Sequence, residues 1–494
     1  MKKMYYRVLP FLLALMMLAG CGAAEEEMDG EAVFSRILAE ASFDTELRDA
    51  GAAAALYFPQ LPEGSQVRLC TGSGYYADEL ALLTMETAND ADKAMKVVEQ
   101  HLKELREQFV NYVPEEVPKI ENAVTVQSGR QILLCITKDA DAVRAITENA
   151  APASQPSDTS EPTEPAGTTA SESTASAQTE ASGYPGLHSK SGTYHDYGTG
   201  VIRVDDRAYE LYGFNRSAAE SYTGLVNAVA DALSGQVTVY DLAIPTGSGI
   251  VLPDDIAEKL PGYTDQGEAI EKIFAMLSDQ VVRVNPYDNL MRHRDEYLYF
   301  HTDYHWNGRG AYYAYESFCQ AKGIAPYTLG QRRQQDFPDF LGALYYNDSG
   351  KDPVLAGNPD TVEAFHPHSP NAKMRYTDHK GNTYPWDIIM DVSGWASGSQ
   401  YSTFAAGDNP YSIFENPDVT DGSVAIVVKE SYGNALLPYL CDHYSTIYEI
   451  DYRYWEGSLV ELAREKNADD LIFANNLSMI GSNLLIGKLA NVAK

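Results

Sequence analysis

The sequence predicts an α/β fold, a doubly wound parallel sheet, for the C-terminal part of the chain, preceded by a small α+β module. Three observations carry this expectation. From residue 185 onward, short apolar runs rich in β-branched residues alternate with helical patterns, the rhythm of strands joined by crossover helices. Residues 151–182 contain no Val, Ile, Leu, Met or aromatic side chain, so folding must occur on either side of them. With 44% hydrophobic residues and 34 tyrosines in a chain of 494, there is material for two cores.

The elements follow in order. Lys2, Lys3 and Arg7 precede an apolar run over residues 8–18 that ends in Leu18-Ala19-Gly20-Cys21. The run is too short to span a bilayer. A basic start, a short apolar centre and small residues before a cysteine resemble a bacterial lipoprotein signal. Residues 1–21 are therefore read as signal peptide and lipobox, with Cys21 as the lipidated terminus of an extracytoplasmic protein anchored to the cell membrane. No later segment is apolar enough to be a transmembrane helix.

Residues 30–150 read as a small α+β domain. Ala94, Val98, Leu102, Leu105 and Phe109 recur at helical spacing behind Asn89-Asp90, which supply the helix cap. Strand-like runs lie at 80–85, 123–126 and 131–137, the last two joined through a turn at Ser128-Gly129. The arrangement resembles an uncharacterised domain of Gram-positive lipoproteins, which implies no activity. Gly72-Ser73-Gly74-Tyr75-Tyr76 reads as a turn rather than a binding loop. Residues 151–184, made mainly of Ser, Thr, Pro and Ala, form a disordered linker that spans on the order of 100 Å when extended.

The formal charge of −33 excludes nucleic acid as a partner, because a phosphate surface repels an acidic one. Cys70, Cys135, Cys319 and Cys441 form no Cys-x-x-Cys pair, so zinc and thiol-redox motifs are absent. The location permits disulfides, whose pairing the sequence leaves open; buried free thiols are the simpler reading.

In the second module, residues 185–494, strands are expected at 201–205, 237–244, 281–284, 297–300, 424–428, 446–450 and 471–474. Helices are expected through Ala218, Tyr222, Leu225, Val229 and Leu233, and through Ile270, Ile273, Phe274 and Leu277. Ligands of such sheets sit beyond the carboxyl ends of the strands, and two strand ends carry chemistry. His301-Thr302-Asp303-Tyr304-His305-Trp306-Asn307 follows the 297–300 run. Asp303 and His305, two apart on an extended segment, share a face on which a carboxylate orients an imidazole. Lys429-Glu430-Ser431-Tyr432-Gly433-Asn434 follows the 424–428 run. A turn there lifts the Ser431 hydroxyl to the sheet edge, with N–H groups of the following helix start available to an oxyanion. Two other readings stand beside this one. Ser431 could cap the helix while Asp303 and His305 support Trp306, or His301, Asp303 and His305 could alternate around a metal.

Thr302-Asp303-Tyr304-His305-Trp306-Asn307 followed by Val428-Lys429-Glu430-Ser431-Tyr432 resembles the DHHW protein family and the SGNH-like proteins of alginate O-acetylation. Val204-Asp205-Asp206-Arg207, Glu210-Leu211-Tyr212-Gly213 and residues 448–454 extend the resemblance in order. It implies an SGNH-like sheet, no cofactor, and a triad of Ser431 as nucleophile, His305 as base and Asp303 as orienting acid. Tyr304 replaces a histidine of the family pattern and Glu430 its usual aspartate. Trp306 beside the histidine, with Arg453, Asn475 and Asn476 after strands, are the expected substrate-binding residues. Residues 331–419 break the rhythm and read as an insertion whose Tyr345, Tyr346, Trp386 and Trp395 could stack on sugars.

The expected function is thus a cell-surface lipoprotein with serine O-acyltransferase or esterase chemistry on O-acetyl groups of an envelope polysaccharide. By analogy with the family, a membrane-bound O-acyltransferase would supply the acyl group. The alternative is a non-catalytic glycan-binding or structural module.

Overall fold

The computed structural model describes residues 27–51, 54–72, 76–112, 116–148 and 184–494. Cys21 with its leader, the linker residues 151–183 and Ser73, Gly74 and Tyr75 lie outside the described residues. The chain divides into two compact units, with the boundary between Glu164 and Pro165. No helix among the described residues is long and apolar enough to cross a membrane.

The N-terminal unit is a five-stranded antiparallel sheet in the order Arg48–Asp49, Gln66–Thr71, Glu79–Thr84, Gln131–Ile136, Val124–Ser128. The hairpin between the last two turns through Gly129, at a left-handed φ of +54° that glycine adopts without strain. The helix Ala88–Tyr112 starts one residue before the expected cap. Thr87 fills that role, its Oγ1 accepting the Asp90 N–H at 3.2 Å. The buried stripe of the helix runs through Ala94, Val98, His101, Leu105 and Phe109, with His101 in the place expected for Leu102. Cys70, Cys135, Cys319 and Cys441 are buried free thiols.

The C-terminal unit is built on an eight-stranded mixed sheet. Five strands run parallel in the order Val281–Val284, Thr238–Ile244, Asp470–Asn476, Val424–Lys429, Thr446–Asp451. Three antiparallel strands complete it: Tyr411–Glu415, Lys373–Thr377 and Thr383–Trp386. All three come from the segment read as an insertion, so 331–419 is partly structural, widening the sheet beyond its parallel centre. The parallel strands are apolar on both faces, and Ala425, Ile426, Val427 and Val428 are all fully buried.

Two expected strands are not in this sheet. Residues 201–204 pair with Arg207–Glu210 in a separate three-stranded antiparallel sheet. The two-residue turn Asp205-Asp206, with Asp205 at φ +51°, forces a hairpin where a crossover was expected. Residues 297–300 form no strand. They open a tight loop closed by a single bridge between Tyr299 and Trp306, with the Asn307 N–H donating to the Leu298 carbonyl at 2.7 Å.

Candidate functional site

Ser431 stands two residues beyond the Val424–Lys429 strand and directly before the helix Tyr432–Leu440. So abrupt a turn needs Gly433, where a Cβ would lie 2.5 Å from Cβ of Lys429. Although Ser431 occupies the cap position, its side chain makes no capping hydrogen bond. Its Oγ instead lies 2.7 Å from Nε2 of His305, whose Nδ1 lies 2.5 Å from Oδ1 of Asp303. With the carboxylate on Nδ1–H, Nε2 is the free base facing the hydroxyl.

The loop that presents Asp303 and His305 is bent rather than extended, and polar contacts hold its shape. Asp360 accepts the N–H groups of His301 and Thr302 at 2.7 and 2.8 Å, and the Thr302 hydroxyl at 2.5 Å. Asp303 itself accepts the His305 N–H at 3.0 Å on Oδ1 and the Ala343 N–H at 2.8 Å on Oδ2. A side chain at Gly342 would meet Asp303, with a Cβ 2.2 Å from its Cβ. Burial works to raise the Asp303 carboxyl. The His305 imidazole and these hydrogen bonds outweigh it and hold the group below its ordinary value, so it stays a carboxylate. Tyr401 covers the imidazole, its ring stacked 4.1 Å from that of His305, and its hydroxyl donates to the Ser431 carbonyl at 3.1 Å.

Glu430, beside the nucleophile, ties the turn together. Its Oε2 accepts the Tyr432 N–H at 3.0 Å and lies 3.2 Å from Ser431 Oγ, and its Oε1 accepts the Asn476 N–H at 3.0 Å. Burial raises this carboxyl, against the pull of Arg453 and the two N–H groups. One expectation fails here. The N–H groups of Tyr432, Gly433 and Asn434 go to Glu430 Oε2, the Glu430 carbonyl and the Ser431 carbonyl, so these three do not line an oxyanion hole.

The residues expected to bind substrate support the site from within. Trp306 is fully buried and donates from Nε1 to the Tyr432 carbonyl at 3.0 Å. Arg453 pairs with both oxygens of Asp451, at 2.8 and 2.6 Å, and with Asp408 at 3.0 Å. Lys429 joins this buried cluster through Asp451 and Glu449. Asn475 donates to the Tyr222 hydroxyl at 3.3 Å, and the Asn476 side chain caps the short helix Leu477–Ile480. Position after a strand placed them near the site, but the strands turn these side chains inward. His301 engages Asn358 at 3.0 Å and Asp360 at 3.6 Å; among the described residues no group of three His, Cys, Asp or Glu side chains could hold a metal. Of the aromatics, Tyr346 and Trp395 are exposed, while Tyr345 and Trp386 are half-buried.

Asp360, Gly342, Ala343 and Tyr401 escaped the sequence reading. They lie at least 35 residues beyond the loop they shape, and no local pattern marks them.

Similar proteins are known for both units. Residues 67–137 match a domain of unknown function (DUF4358). A comparison with curated proteins finds no match. A DHHW family protein from Eubacterium siraeum is 24% identical, with a TM-score of 0.54 over 59% of this chain and 95% of that one. Bacillus cereus PatB1, solved with a sulfonyl adduct, is 18% identical, with a TM-score of 0.49 over 58% and 97%. The O-acetyltransferase domain of Pseudomonas putida AlgJ is 14% identical, with a TM-score of 0.32 over 62% and 99%. The first of these is a likeness of fold. The DHHW protein family matches residues 185–450, more than half of the sequence, and the chain belongs to that family.

Proposed function

We propose that the C-terminal unit is a serine O-acyltransferase or esterase that acts on O-acetyl groups of an envelope polysaccharide. One observation carries this reading: the continuous line from Asp303 through His305 to Ser431 Oγ, with the serine free of any capping role. A neutral serine is a poor nucleophile and needs a positioned base. Here Ser431 Oγ attacks the acyl carbonyl while His305 Nε2 takes its proton. His305 returns that proton to the departing group as the acyl–serine ester forms. An acceptor hydroxyl then attacks the ester carbonyl, giving its proton to His305, and Ser431 recovers it as the bond to Oγ breaks. Water as acceptor makes the same residues an esterase. Asp303 holds the imidazole in the tautomer that leaves Nε2 free and stabilises the imidazolium that forms.

In this reading the protein works outside the cytoplasm, anchored through lipid at Cys21, and a membrane-bound O-acyltransferase delivers the acyl group. Tyr346, in the helical turn Leu344–Asp348, and Trp395 are exposed and offer rings for a sugar chain. The test is the intact mass of the full chain after brief exposure to an activated acetyl ester, beside Ser431→Ala and His305→Ala. An adduct of one acetyl group that needs both side chains is expected. No adduct, or one indifferent to both substitutions, would move the assignment to a non-catalytic glycan-binding module.

A further inference from the structure

Next to the triad lies a carboxyl that acylation leaves unused. Glu210 ends the strand Arg207–Glu210 and is half-buried. Among the described residues its one hydrogen bond comes from Ser478 Oγ, 3.2 Å from Oε2. Among the described residues no hydrogen bond reaches its other carboxyl oxygen. Glu210 lines a small cavity of about 10 Å³ together with Thr246, Ser248, Asp303 and Tyr304. Such a space holds roughly one water-sized group. Thr246 and Ser248 already receive Gln266 Nε2, at 2.8 and 3.3 Å, so the carboxyl is the strong acceptor still on offer. Asp348, His305 and Glu430 lie close enough for their charges to act on Glu210.

A hydroxyl that resolves the acyl-enzyme has one proton, and that proton goes to His305 Nε2. A carboxylate in a cavity that Asp303 also lines can therefore serve only a second hydroxyl of the acceptor, or the second hydrogen of a water. We propose that Glu210, steadied by Ser478, is the acceptor subsite for a vicinal diol: one hydroxyl attacks the Ser431 ester while its neighbour donates a hydrogen bond to Glu210. The bonds balance as in ordinary transfer. The acceptor oxygen gains the acyl carbon, the ester bond to Ser431 Oγ breaks, and the proton passes through His305 to that Oγ. Glu210 exchanges no proton and orients the attack. Burial pushes its carboxyl up to about 7, so the accepting carboxylate form grows in as pH passes neutrality.

This inference rests on the acyl-enzyme reading, and one experiment separates the two. The full chain is mixed with 4-nitrophenyl acetate, the burst of nitrophenolate is recorded, and the acetyl products are partitioned between ethylene glycol and ethanol at equal hydroxyl concentration. Wild type is expected to favour the diol by about tenfold, the scale of one hydrogen bond to a charged group. The preference should strengthen from pH 6 to pH 8. E210Q keeps the burst amplitude, which certifies a folded site, but loses most of the preference and its pH dependence. S478A is expected to weaken the preference by a few-fold. A normal burst with the same partition in wild type and E210Q overturns the subsite alone. No burst in wild type overturns the acyl-enzyme reading and the subsite with it.

Discussion

Each unit of the chain buries a histidine against a carboxylate, and the two pairs differ in every respect that matters for chemistry. In the N-terminal unit His101 Nε2 lies 2.8 Å from Glu79 Oε1, with the rings of Phe58 and Tyr57 around it at 4.6 and 6.4 Å. In the C-terminal unit His305 Nδ1 meets Asp303 and Nε2 meets Ser431. Burial disfavours the His101 cation. The Glu79 charge and hydrogen bond, with Glu104 behind, outweigh it and raise the imidazole above its ordinary value. The pairing thus favours the protonated imidazole, and the contact joins a helix to a strand. A buried His–carboxylate pair becomes a base only when its second nitrogen faces a nucleophile, as Nε2 of His305 faces Ser431 Oγ.

The largest effect should fall on the nucleophile and base. Ser431→Ala and His305→Ala are expected to remove the acetyl adduct, a loss of about three to four orders of magnitude or more in acylation rate. His101→Ala should leave the rate per folded molecule unchanged. Asp303→Asn sharpens the contrast, because an amide no longer fixes the tautomer, and a drop of roughly three orders of magnitude is expected from stopped-flow acylation. Retention of full rate in Asp303→Asn would mean that Asp303 is only a loop brace.

The N-terminal pair should declare itself in stability. His101→Leu strands the buried Glu79 carboxyl without its partner in an apolar site, at a cost of about 3–5 kcal/mol; replacing both by Leu should recover much of it. Hydrogen exchange in the Glu79–Thr84 and Gln131–Ile136 strands reads this unit separately. Tryptophan fluorescence does not, since Trp306, Trp386, Trp395 and Trp455 all lie in the other unit. A double variant no more protected than His101→Leu would show that the pair does more than satisfy itself.

The two pairs also titrate in opposite senses. The raised His101 contributes stability that is complete below about pH 6.5 and lost as pH rises through its folded value. The lowered Asp303 contributes stability that is complete above about pH 4 and lost as pH falls through its folded value. Exchange protection of the N-terminal strands should therefore decline on the alkaline side in wild type and stay flat in the doubly Leu-substituted form. A decline of equal size in both would assign the effect to other groups.

How much of this was legible follows from the range of the interactions. Asp303, His305 and Ser431 carry local signals: two polar residues at a spacing of two, and a serine at the end of an apolar run. The contact between them spans 126 residues and came only from the order of the motifs. The inward direction of Trp306, Arg453 and Asn475 was not legible, because position after a strand says nothing about which way a side chain turns. Residues 297–300 misled through their aromatic, strand-like composition, whereas Asp360, far along the chain, decides their bend. The antiparallel strands of 331–419 were hidden by turn-rich composition. His101 passed unnoticed because it lies three residues after Val98 and four before Leu105, where a helical stripe reads as core.

The smallest expected effect tests whether the rings over the two histidines do the same thing. Phe58 sits tilted at 42° against His101, a packing contact, while Tyr401 lies nearly parallel to His305 at 17°. Tyr401 also reaches the Ser431 carbonyl, so it binds the base and the nucleophile's backbone into one unit. Tyr401→Phe keeps the ring and loses one hydrogen bond, for which about a fivefold fall in acylation kcat/KM is expected, near 1 kcal/mol. Tyr401→Leu removes the stacking plane as well and should fall further, with kcat reduced more than KM rises, because a wandering imidazole harms the transition state rather than binding. If Tyr401→Leu instead matches Tyr401→Phe, the ring over His305 is cover of the same kind as Phe58, and the alignment of the triad rests on Asp303 and the loop held by Asp360.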